Sequence, residues 1–471
     1  MRQQQPIILG ISFLLSSILI LLVQQEPFFW DTIQLGSRHA NWFYANGFGN
    51  GLLPDEMDSG HIPAFGWYLA GAWKLLGRNL MVSHWAMLPG IFLVIWQSFR
   101  LVQNLRPQWL WPGTALLLAD PTLLAQLSLI SPDIILVGAF LLGVNSILQQ
   151  QKLGLTVAVV LLGLVSLRGM MLGVGLFLWD LYRHLPLPAT QRWRSIIQLL
   201  APYLPGGLLA IAYLAYHYAL KGWIGVHDDS PWAASFAGAG LMGMVKQLII
   251  VAWRVIDFGR LFLVVGLLLA WKASGWIWSG RIKDFLALAI IIGLILALPA
   301  IISPGLAQHR YLLPFYLSLS LLFVLILPEV QPFRWRSLLY AIVMAGLVSG
   351  HFWVYPANMA QGWDASLAHK PYFEGRQQII DYLKEQQIGM NQVATVFPEV
   401  GSLDDRELNN ESAGFKAWER SSEEFVLYSN VMNDYPDEFV EELHRDWLVR
   451  KEYERRGVWV ILFQRPLAEN H

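Results

Sequence analysis

Long apolar segments recur over the first three quarters of this 471-residue chain, and they constrain its fold more than any other feature. A helix needs about 20 consecutive apolar residues to cross the hydrocarbon core of a bilayer, and several segments approach that length. The composition agrees, because 55% of the residues are hydrophobic and only 14% are charged. In a typical soluble protein, about a quarter of the residues are charged. We therefore predict a polytopic α-helical membrane protein.

The hydrophobic pattern predicts about eleven transmembrane helices within residues 1–356. The two shortest apolar segments flank Arg168 and are interpreted as half-buried helices rather than full crossings. A tryptophan-rich apolar stretch at 62–77 is predicted to be a helix lying at the membrane interface. The predicted spans are 6–25, 80–102, 109–130, 132–149, 153–167, 170–183, 196–220, 246–271, 284–302, 311–328 and 337–356.

Charged residues divide the chain into a basic body and an acidic tail. Residues 357–471 carry 21 acidic and 12 basic side chains, whereas the first 356 residues carry 13 acidic and 21 basic ones. The basic residues of the body concentrate in alternate loops, so the positive-inside rule places the N-terminus in the cytoplasm. The same rule places the first outer loop, 26–79, and the tail together on the outer side.

The tail, 357–471, is predicted to be a small soluble α/β domain. The amphipathic stretch YFEGRQQIIDYLKEQQ indicates a helix, and QVATVF, EEFVLYSN and VWVILFQR indicate strands. The stretch PDEFVEELHRDWLVRKEYERRG has its acids early and its bases late, which favours a second helix that Gly457 ends. The chain has no cysteine, which excludes a thiol nucleophile and a disulfide.

Acids and histidines concentrate in the first outer loop, just beyond the first apolar segment. Asp31 lies next to Phe29 and Trp30, so its carboxylate is expected to be partly desolvated, as suits a general base. The alternative is a solvated loop whose acids simply favour water. Arg38 follows Asp31 by seven residues and would share its face on an α-helix. The other candidates in this loop are Glu56, Asp58 and His61.

Two isolated arginines interrupt apolar sequence near the outer ends of predicted spans, Arg168 in GLVSLRGMML and Arg310 in GLAQHRYLLPFY. Each has a structural interpretation, as a packing or snorkelling side chain for Arg168 and as a headgroup anchor for Arg310. A guanidinium group also binds phosphate oxygens well, so both are candidates for a phosphate clamp. Asp133 in LISPDIIL faces the same side, as a site residue or as a helix N-cap.

Other acids and histidines give weaker signals. A divalent metal held by Asp31, Asp58 and His61 is conceivable, but the spacing is not diagnostic, no HExxH motif occurs and we assign no metal ligand. Asp120 and Asp257 fall within predicted spans, where acids often mark function. Asp120 precedes a proline, so it can equally serve a helix kink.

Five of these pieces, in order along most of residues 1–330, resemble one family. Asp31 opens the outer loop, DSGHIPAFGWYLAGAWKLLG stands where the family has D-x-GHPPL…G, and SPD follows at 131–133. The Arg168 region and HRYLLPFY at 309–316 complete the series. With these motifs the chain resembles the polytopic glycosyltransferases of the GT-C class, family 39 type, which includes protein O-mannosyltransferases and the aminoarabinose transferases of lipid A. It departs at Thr32, where relatives often have Glu, and at Ile62, which replaces a Pro.

The resemblance implies a membrane-bound enzyme of cell-envelope glycosylation. A bacterial inner membrane is the expected location, because neither an ER retention signal nor long lumenal insertions appear in the sequence. Such an enzyme transfers a sugar, with inversion, from a polyprenyl-phosphate donor to an acceptor hydroxyl at the outer face. The acceptor would be a lipid, a glycan or a protein, and no nucleic-acid partner is expected. The implied catalytic residues are Asp31 as the base, with Asp58 and His61 as positioning groups. The implied donor-phosphate ligands are Arg38, Arg168 and Arg310, and Glu56, Asp133, His309 and Tyr311 are further candidates.

Two other classes of function stay open at this point. A flippase or transporter of lipid-linked sugars would be expected to carry polar residues or broken helices near the bilayer midplane. Here the isolated charges cluster at the outer ends of the spans instead, which favours the enzyme. A receptor or scaffold whose acidic tail binds a partner is the third class.

Overall fold

The computed structural model describes residues 5–184, 198–230, 232–236, 238–356, 358–420 and 423–466. Helices make up the body, and a mixed sheet with flanking helices makes up the C-terminal part. This arrangement confirms the predicted class of a helical body followed by a small α/β unit.

The body helices follow the predicted apolar segments, because each of those segments contains at least one helix. A short π-helix, Ile33–Arg38, precedes the second α-helix. The α-helices of the body are Gln5–Val23, His39–Asn46, Ala64–Leu76, Leu80–Ala86, Leu88–Leu105, Leu110–Leu118, Pro121–Leu127, Pro132–Leu148, Lys152–Val165, Leu167–His184, Leu204–Lys221, Leu241–Ile256, Arg260–Ala273, Gly280–Ile302, Leu313–Ile326 and Phe333–Gly350.

Fewer crossings are supported by helix length than the sequence predicts. Within the described residues, four stretches are long and apolar enough to span a bilayer, and a fifth is a pair of helices bent by 120°. These stretches are Gln5–Val23, Leu80–Leu105, Gly280–Ile302 and His309–Glu329, with Pro121–Leu127 and Pro132–Leu148 as the bent pair. Several of the other predicted spans are shorter or divided, so the count of about eleven stays a prediction.

Two breaks in the body helices explain the two acids that fall within predicted spans. Asp120 caps the helix Pro121–Leu127, its Oδ1 accepting hydrogen bonds from two backbone N–H groups at 3.0 Å. Asp257 ends the helix Leu241–Ile256, and the chain turns there through Gly259 at a positive φ of 78°. A Cβ on that glycine would lie 1.9 Å from the Gly346 carbonyl oxygen, so only glycine fits.

One arginine joins these two breaks inside the body. Arg260 forms a bidentate ion pair with Asp120, with both N···O distances at 2.8 Å. Its guanidinium carbon lies 3.9 Å from the centre of the Tyr316 ring. Each side chain of the ion pair is only 1% exposed, so the pair is fully desolvated.

The C-terminal unit is a six-stranded mixed sheet with the order β2-β3-β1-β4-β6-β5. Strand β1 is parallel to both of its neighbours, and the remaining pairs are antiparallel. Its helices are Lys370–Glu385, Asp404–Glu407 and Asp437–Asp446. The strands are β1 Val393–Thr395, β2 Gly401–Ser402, β3 Gly414–Ala417, β4 Phe425–Ser429, β5 Leu448–Arg455 and β6 Val458–Gln464.

One predicted helix of this unit is wrong in its second half. The helix ends at Asp446, and Leu448–Arg455 forms strand β5 against β6. Arg456 and Gly457, with φ of 53° and 77°, both lie in the left-handed region. This two-residue hairpin turn matches the twist of the flanking strands. Gly457 therefore turns a hairpin instead of ending a helix.

The C-terminal unit packs on the end of the body that carries the first outer loop, and the side of the membrane that both would face stays a prediction. Phe29 stacks on His369 with ring centres 4.7 Å apart, and Trp30 packs edge-on against Phe397 at 5.0 Å. Ion pairs join the same surfaces, namely Arg38 with Asp405, Arg78 with Asp404 and Lys370 with Glu26. These contacts fix the chain immediately before Asp31.

The buried pair of Asp120 and Arg260 gives a stability prediction. Asp120→Ala leaves a guanidinium charge buried without its partner, and we expect a loss of about 3–5 kcal/mol in unfolding free energy. Asp405→Ala breaks a partly exposed pair and should cost less than about 1 kcal/mol. Thermal unfolding of both variants is measured in the same detergent. Equal losses of stability would contradict the prediction that the buried pair stabilises the fold more than the exposed one.

Candidate active site

A cavity of about 330 Å³ lies where the first outer loop meets the ends of several body helices. Six of the ten predicted site residues line its wall, all of them within the described part of the chain. They are Asp31, His61, Asp133, Arg168, Arg310 and Tyr311. An apolar part of the wall is formed by Val165, Leu167, Met171, Leu296 and Leu306. The cavity therefore combines a charged surface with an apolar one.

Arg310 is the cation on which the charged part of the wall is organised. It lies in a short 3-10 turn, His309–Leu312, which the following helix, Leu313–Ile326, continues. The side chain is only 3% exposed, and it donates a hydrogen bond to Asp31. Its Nε lies 3.7 Å from Asp133 Oδ2, and its Nη1 lies 3.4 Å from Asp364 Oδ2. Three carboxylates thus surround this one guanidinium group among the residues that the structure describes.

Arg168 brings a second guanidinium group to the same wall. An extended residue, Ser166, ends the preceding helix, so Arg168 falls in the first turn of the helix Leu167–His184. Arg168 donates a hydrogen bond to Asp133. The Tyr311 ring centre lies 4.1 Å from the guanidinium carbon of Arg168 and 5.0 Å from that of Arg310. One aromatic ring therefore contacts both cations, which helps to hold them near each other.

Several donors of these two arginines are unused. Among the described residues, Nε and Nη1 of Arg168 and Nε of Arg310 are buried and have no hydrogen-bond partner. A buried donor without a partner costs about 1–3 kcal/mol, and more when the group is charged. An anion with several oxygens would satisfy such donors, and phosphate suits the geometry of guanidinium groups. The charged wall can therefore bind a phosphate group.

Asp31 lies on the cavity wall with its side chain 22% exposed, in agreement with the predicted partial desolvation. Its position follows from the two preceding aromatic residues, which are anchored in the C-terminal unit. The direct contact with Arg310 was not anticipated, because the two residues are 279 positions apart. The site thus pairs a partly exposed carboxylate with a buried guanidinium group.

Arg38 does not share the face of Asp31, and this part of the prediction is wrong. The intervening residues form a π-helix instead of an α-helix. Because a π-helix takes more residues per turn, seven positions no longer complete about two turns. Arg38 points instead to the C-terminal unit, where its Nε lies 2.9 Å from Asp405 Oδ2. It is absent from the cavity wall within the described residues.

Asp58 and His61 are close in sequence, but they face different surroundings. Asp58 is buried, and its Oδ2 lies 3.1 Å from His217 Nε2. His61 lines the cavity, and burial lowers its pKa to about 4, so its ring is neutral near pH 7. Gly60 between them has a φ of 72°, and a Cβ there would lie 1.7 Å from the Gly225 carbonyl oxygen. Glycine at this position lets the chain turn from the Asp58 contact to the cavity.

The remaining candidates divide between the cavity and other places. Ser131 is the N-cap of the helix Pro132–Leu148, so Asp133 is free to contact the two arginines. Glu56 is exposed on the outer loop. His309 is buried beside the helix break, with its Nε2 2.7 Å from Asp257 Oδ2.

The residues considered for a metal do not form a ligand set. Asp31 contacts Arg310, while Asp58 contacts His217. Across the described ranges, no group of three His, Cys, Asp or Glu side chains lies close enough to hold a metal ion. The donors on this wall are guanidinium groups, which suit an anion rather than a cation.

Asp364 is the site residue that the sequence did not reveal. It belongs to the segment between the last body helix and the C-terminal unit, and the acidic composition of the tail made it look like one surface acid among many. The available signal was a lone acid within the otherwise uncharged stretch QGWDASLA. The structure buries it against Arg310.

Comparison with known proteins gives a fold and no close relative. No protein-family model matches the sequence, and no curated protein is significantly similar to it. The chain is similar to two crystal structures of ArnT from Cupriavidus metallidurans, one bound to undecaprenyl phosphate and one in the apo state. The TM-scores are 0.51 and 0.50 at 12% and 13% identity, and each alignment covers 96% of this chain and 97% of ArnT. The alignment shows that this chain shares the fold of ArnT over nearly its whole length.

The carboxylates around Arg310 give a prediction on stability and pH. Arg310→Met leaves Asp31, Asp133 and Asp364 without their shared cation, and we expect a loss of about 3–5 kcal/mol near pH 7. Burial together with Asp31 and Asp133 already raises the pKa of Asp364 above its usual value, and the variant loses Arg310, which opposes that rise, so the pKa of Asp364 in the folded state increases further. The folded variant then binds more protons, so its stability should rise as the pH falls from 7 to 5.

Melting temperatures measured over this pH range test the prediction. Arg38→Met is the matched control, since it also removes an arginine that faces an acid but lies outside the cavity, and it should cost less than about 1 kcal/mol. An Arg310→Met variant that is as stable as this control at every pH would refute the central role of Arg310.

Proposed function

We propose that this protein is an inverting glycosyltransferase of the bacterial inner membrane. It moves a sugar from a polyprenyl-phosphate donor to an acceptor hydroxyl at the outer face of the membrane. The observation that carries the proposal is the pair of arginines with unused buried donors beside an accessible aspartate. The loop charges of the body support the orientation, with the N-terminus in the cytoplasm.

The donor phosphate binds between Arg168 and Arg310 in this proposal. Both guanidinium groups contact Tyr311, so they are held close to each other before a ligand arrives. Such preorganised cations stabilise the charge that develops on a departing phosphate, without further reorganisation of the site. A lipid phosphate is a good leaving group once its charge is stabilised, and it needs no general acid.

The apolar part of the wall suits the first prenyl units of the donor lipid. Val165, Met171 and Leu296 line the cavity on helices of the membrane body. The shared fold adds support, because one of the ArnT crystal structures contains undecaprenyl phosphate. A donor held in this way has its sugar next to the outer loop and its lipid against the helices.

Asp31 acts as the base in the transfer. The acceptor oxygen attacks the anomeric carbon of the sugar, and the bond from that carbon to the phosphate oxygen breaks on the opposite face. The acceptor proton passes to the Asp31 carboxylate, and the lipid phosphate leaves as an anion held by the arginines. Attack and departure on opposite faces invert the configuration at that carbon.

The contact between Asp31 and Arg310 gives this base a defined resting state. Without an anion, Arg310 donates a hydrogen bond to Asp31. A phosphate bound at Arg310 competes for the same donors, so donor binding weakens the hold on the carboxylate. His61, neutral and on the same wall, is positioned to hydrogen-bond the acceptor. Asp58 supports that loop through His217.

The first test measures turnover of the donor. Purified protein is incubated in detergent with a panel of polyprenyl-phosphate sugars and acceptors, and release of free polyprenyl phosphate is scored. The wild type should release it, and Asp31→Asn should lower the rate at least 100-fold with similar donor affinity, because the amide cannot accept the proton. A variant with undiminished release would exclude Asp31 as the base.

The second test measures donor binding. Arg168→Gln and Arg310→Gln each remove charge-assisted contacts to phosphate, and we expect donor affinity to fall about 10- to 100-fold. Arg38→Gln serves as the matched control and should change the affinity less than about twofold, since Arg38 contacts Asp405 instead of the cavity. Equal losses in all three variants would argue against a phosphate site at the two cavity arginines.

A transporter of lipid-linked sugars is the second candidate. The observation in its favour is the buried charge at the two helix breaks, where Asp120 pairs with Arg260 and Asp257 with His309. Broken helices of this kind occur at transport sites, although these charges are already paired. Donors that cross the bilayer of proteoliposomes but are never consumed, with every acceptor class supplied, would favour transport.

A further inference from the structure

Asp364 reaches the charged wall from outside the membrane body. It lies in a 3-10 turn, Trp363–Ala365, between the last body helix, Phe333–Gly350, and the helix Lys370–Glu385. Asp364 is 2% exposed, and it is not part of the cavity wall. Its carboxylate therefore meets the site through Arg310 and does not touch a ligand in the cavity.

Contacts with the body hold Asp364 in this position. The Gln126 side-chain amide donates to the Asp364 carbonyl oxygen at 2.8 Å and to its Oδ2 at 3.5 Å. Thr122 donates to the carbonyl oxygen of the next residue, Ala365, at 3.0 Å. The turn is thus tied to the helix Pro121–Leu127, and Asp364 cannot move away from Arg310 without breaking these bonds.

The charges around Arg310 do not balance. In the part of the chain that the structure describes, the cluster holds the carboxylates of Asp31, Asp133 and Asp364 against the guanidinium groups of Arg168 and Arg310. An anionic phosphate that enters between the arginines adds a further negative charge. Arg310, Asp133 and Asp364 are each at most 4% exposed, so solvent screens their charges weakly. Anion binding is therefore favoured if one carboxylate takes up a proton.

Asp364 is the carboxylate best suited to accept this proton. Asp31 and Asp133 each accept a hydrogen bond from a guanidinium group, whereas Asp364 only faces Arg310 at 3.4 Å. Burial raises the pKa of Asp364 to about 6, the neighbouring Arg310 opposes the rise, and Asp31 and Asp133 add to it. Among the charged groups around Asp364, Arg310 has the largest effect on its pKa. An anion bound to Arg310 would therefore act directly on the Asp364 carboxylate.

We propose that Asp364 is a positioning residue that takes up a proton when an anionic lipid phosphate binds to Arg310. This inference rests on the proposed function, since it concerns the same phosphate site. The proton comes from solvent and is held on the Asp364 carboxylate while the anion is bound, and it returns when the anion leaves. Neutral Asp364 no longer competes with the phosphate for Arg310, so the guanidinium group interacts more strongly with the ligand.

Calorimetry measures this proton directly. The full-length protein in detergent is titrated at pH 7 with farnesyl methyl phosphodiester, whose single charge does not titrate near neutral pH. Heats in two buffers that differ in ionisation enthalpy give the number of protons taken up for each ligand bound. We expect more than about half a proton in the wild type and close to none in Asp364→Asn.

The pH dependence of affinity is a second and independent measurement. Wild-type affinity for the diester should rise about tenfold as the pH falls from 8 to 6, and the affinity of Asp364→Asn should change less than about twofold. Asp405→Asn, which alters an acid outside the cavity, should behave as the wild type does in both measurements. If Asp364 had only a structural role, its substitution would not change the number of protons taken up on ligand binding.

The outcomes separate this inference from the proposed function. Diester binding by the wild type without proton uptake overturns the role of Asp364 and leaves the phosphate site intact. Proton uptake that persists in Asp364→Asn overturns the assignment in favour of Asp31 or Asp133. Absence of binding in the wild type contradicts the phosphate site itself. If Asp364→Asn does not fold, a wild-type proton count close to zero still overturns the inference, and proton uptake retained in both Asp31→Asn and Asp133→Asn supports Asp364, whereas its loss in either variant overturns the assignment.

Discussion

The buried charge of Arg310 is the constraint on which the arrangement of the site depends. A guanidinium group that is 3% exposed is stable only where carboxylates compensate it. The three that do so come from the first outer loop, from the start of the helix Pro132–Leu148 and from the segment after the last body helix. Folding therefore has to bring distant parts of the chain together before this cation can be buried.

Much of the site could be predicted from the sequence, because lone charges in apolar surroundings are conspicuous. Asp31, Arg168 and Arg310 stood out in this way, and the structure places all three on one cavity. Two features of the site could not be predicted from the sequence, for physical reasons. The π-helix that turns Arg38 away ends in an ion pair with Asp405 of the C-terminal unit, a contact between residues far apart in sequence that leaves no local signal. Asp364 carries a charge typical of its acidic tail, and only tertiary contact buries it.

The fold shows the same contrast between local and long-range determinants. Helix positions in the body follow from apolar segments, and the breaks at Asp120 and Asp257 follow from capping acids together with proline or glycine. Strand β5 has no apolar alternation along most of its length, and it forms because β6 lies beside it. Pairing with a neighbouring strand there outweighs the helical charge pattern.

The anchoring of Phe29 and Trp30 in the C-terminal unit has a consequence for protein engineering. The unit holds the residues just before Asp31, and the segment that leads into it carries Asp364. It is therefore not an appendage that can be exchanged between relatives at the end of the last body helix. A chimaera joined there would combine an outer loop from one protein with a C-terminal unit from another, so the two surfaces that position Asp31 and Asp364 would not match.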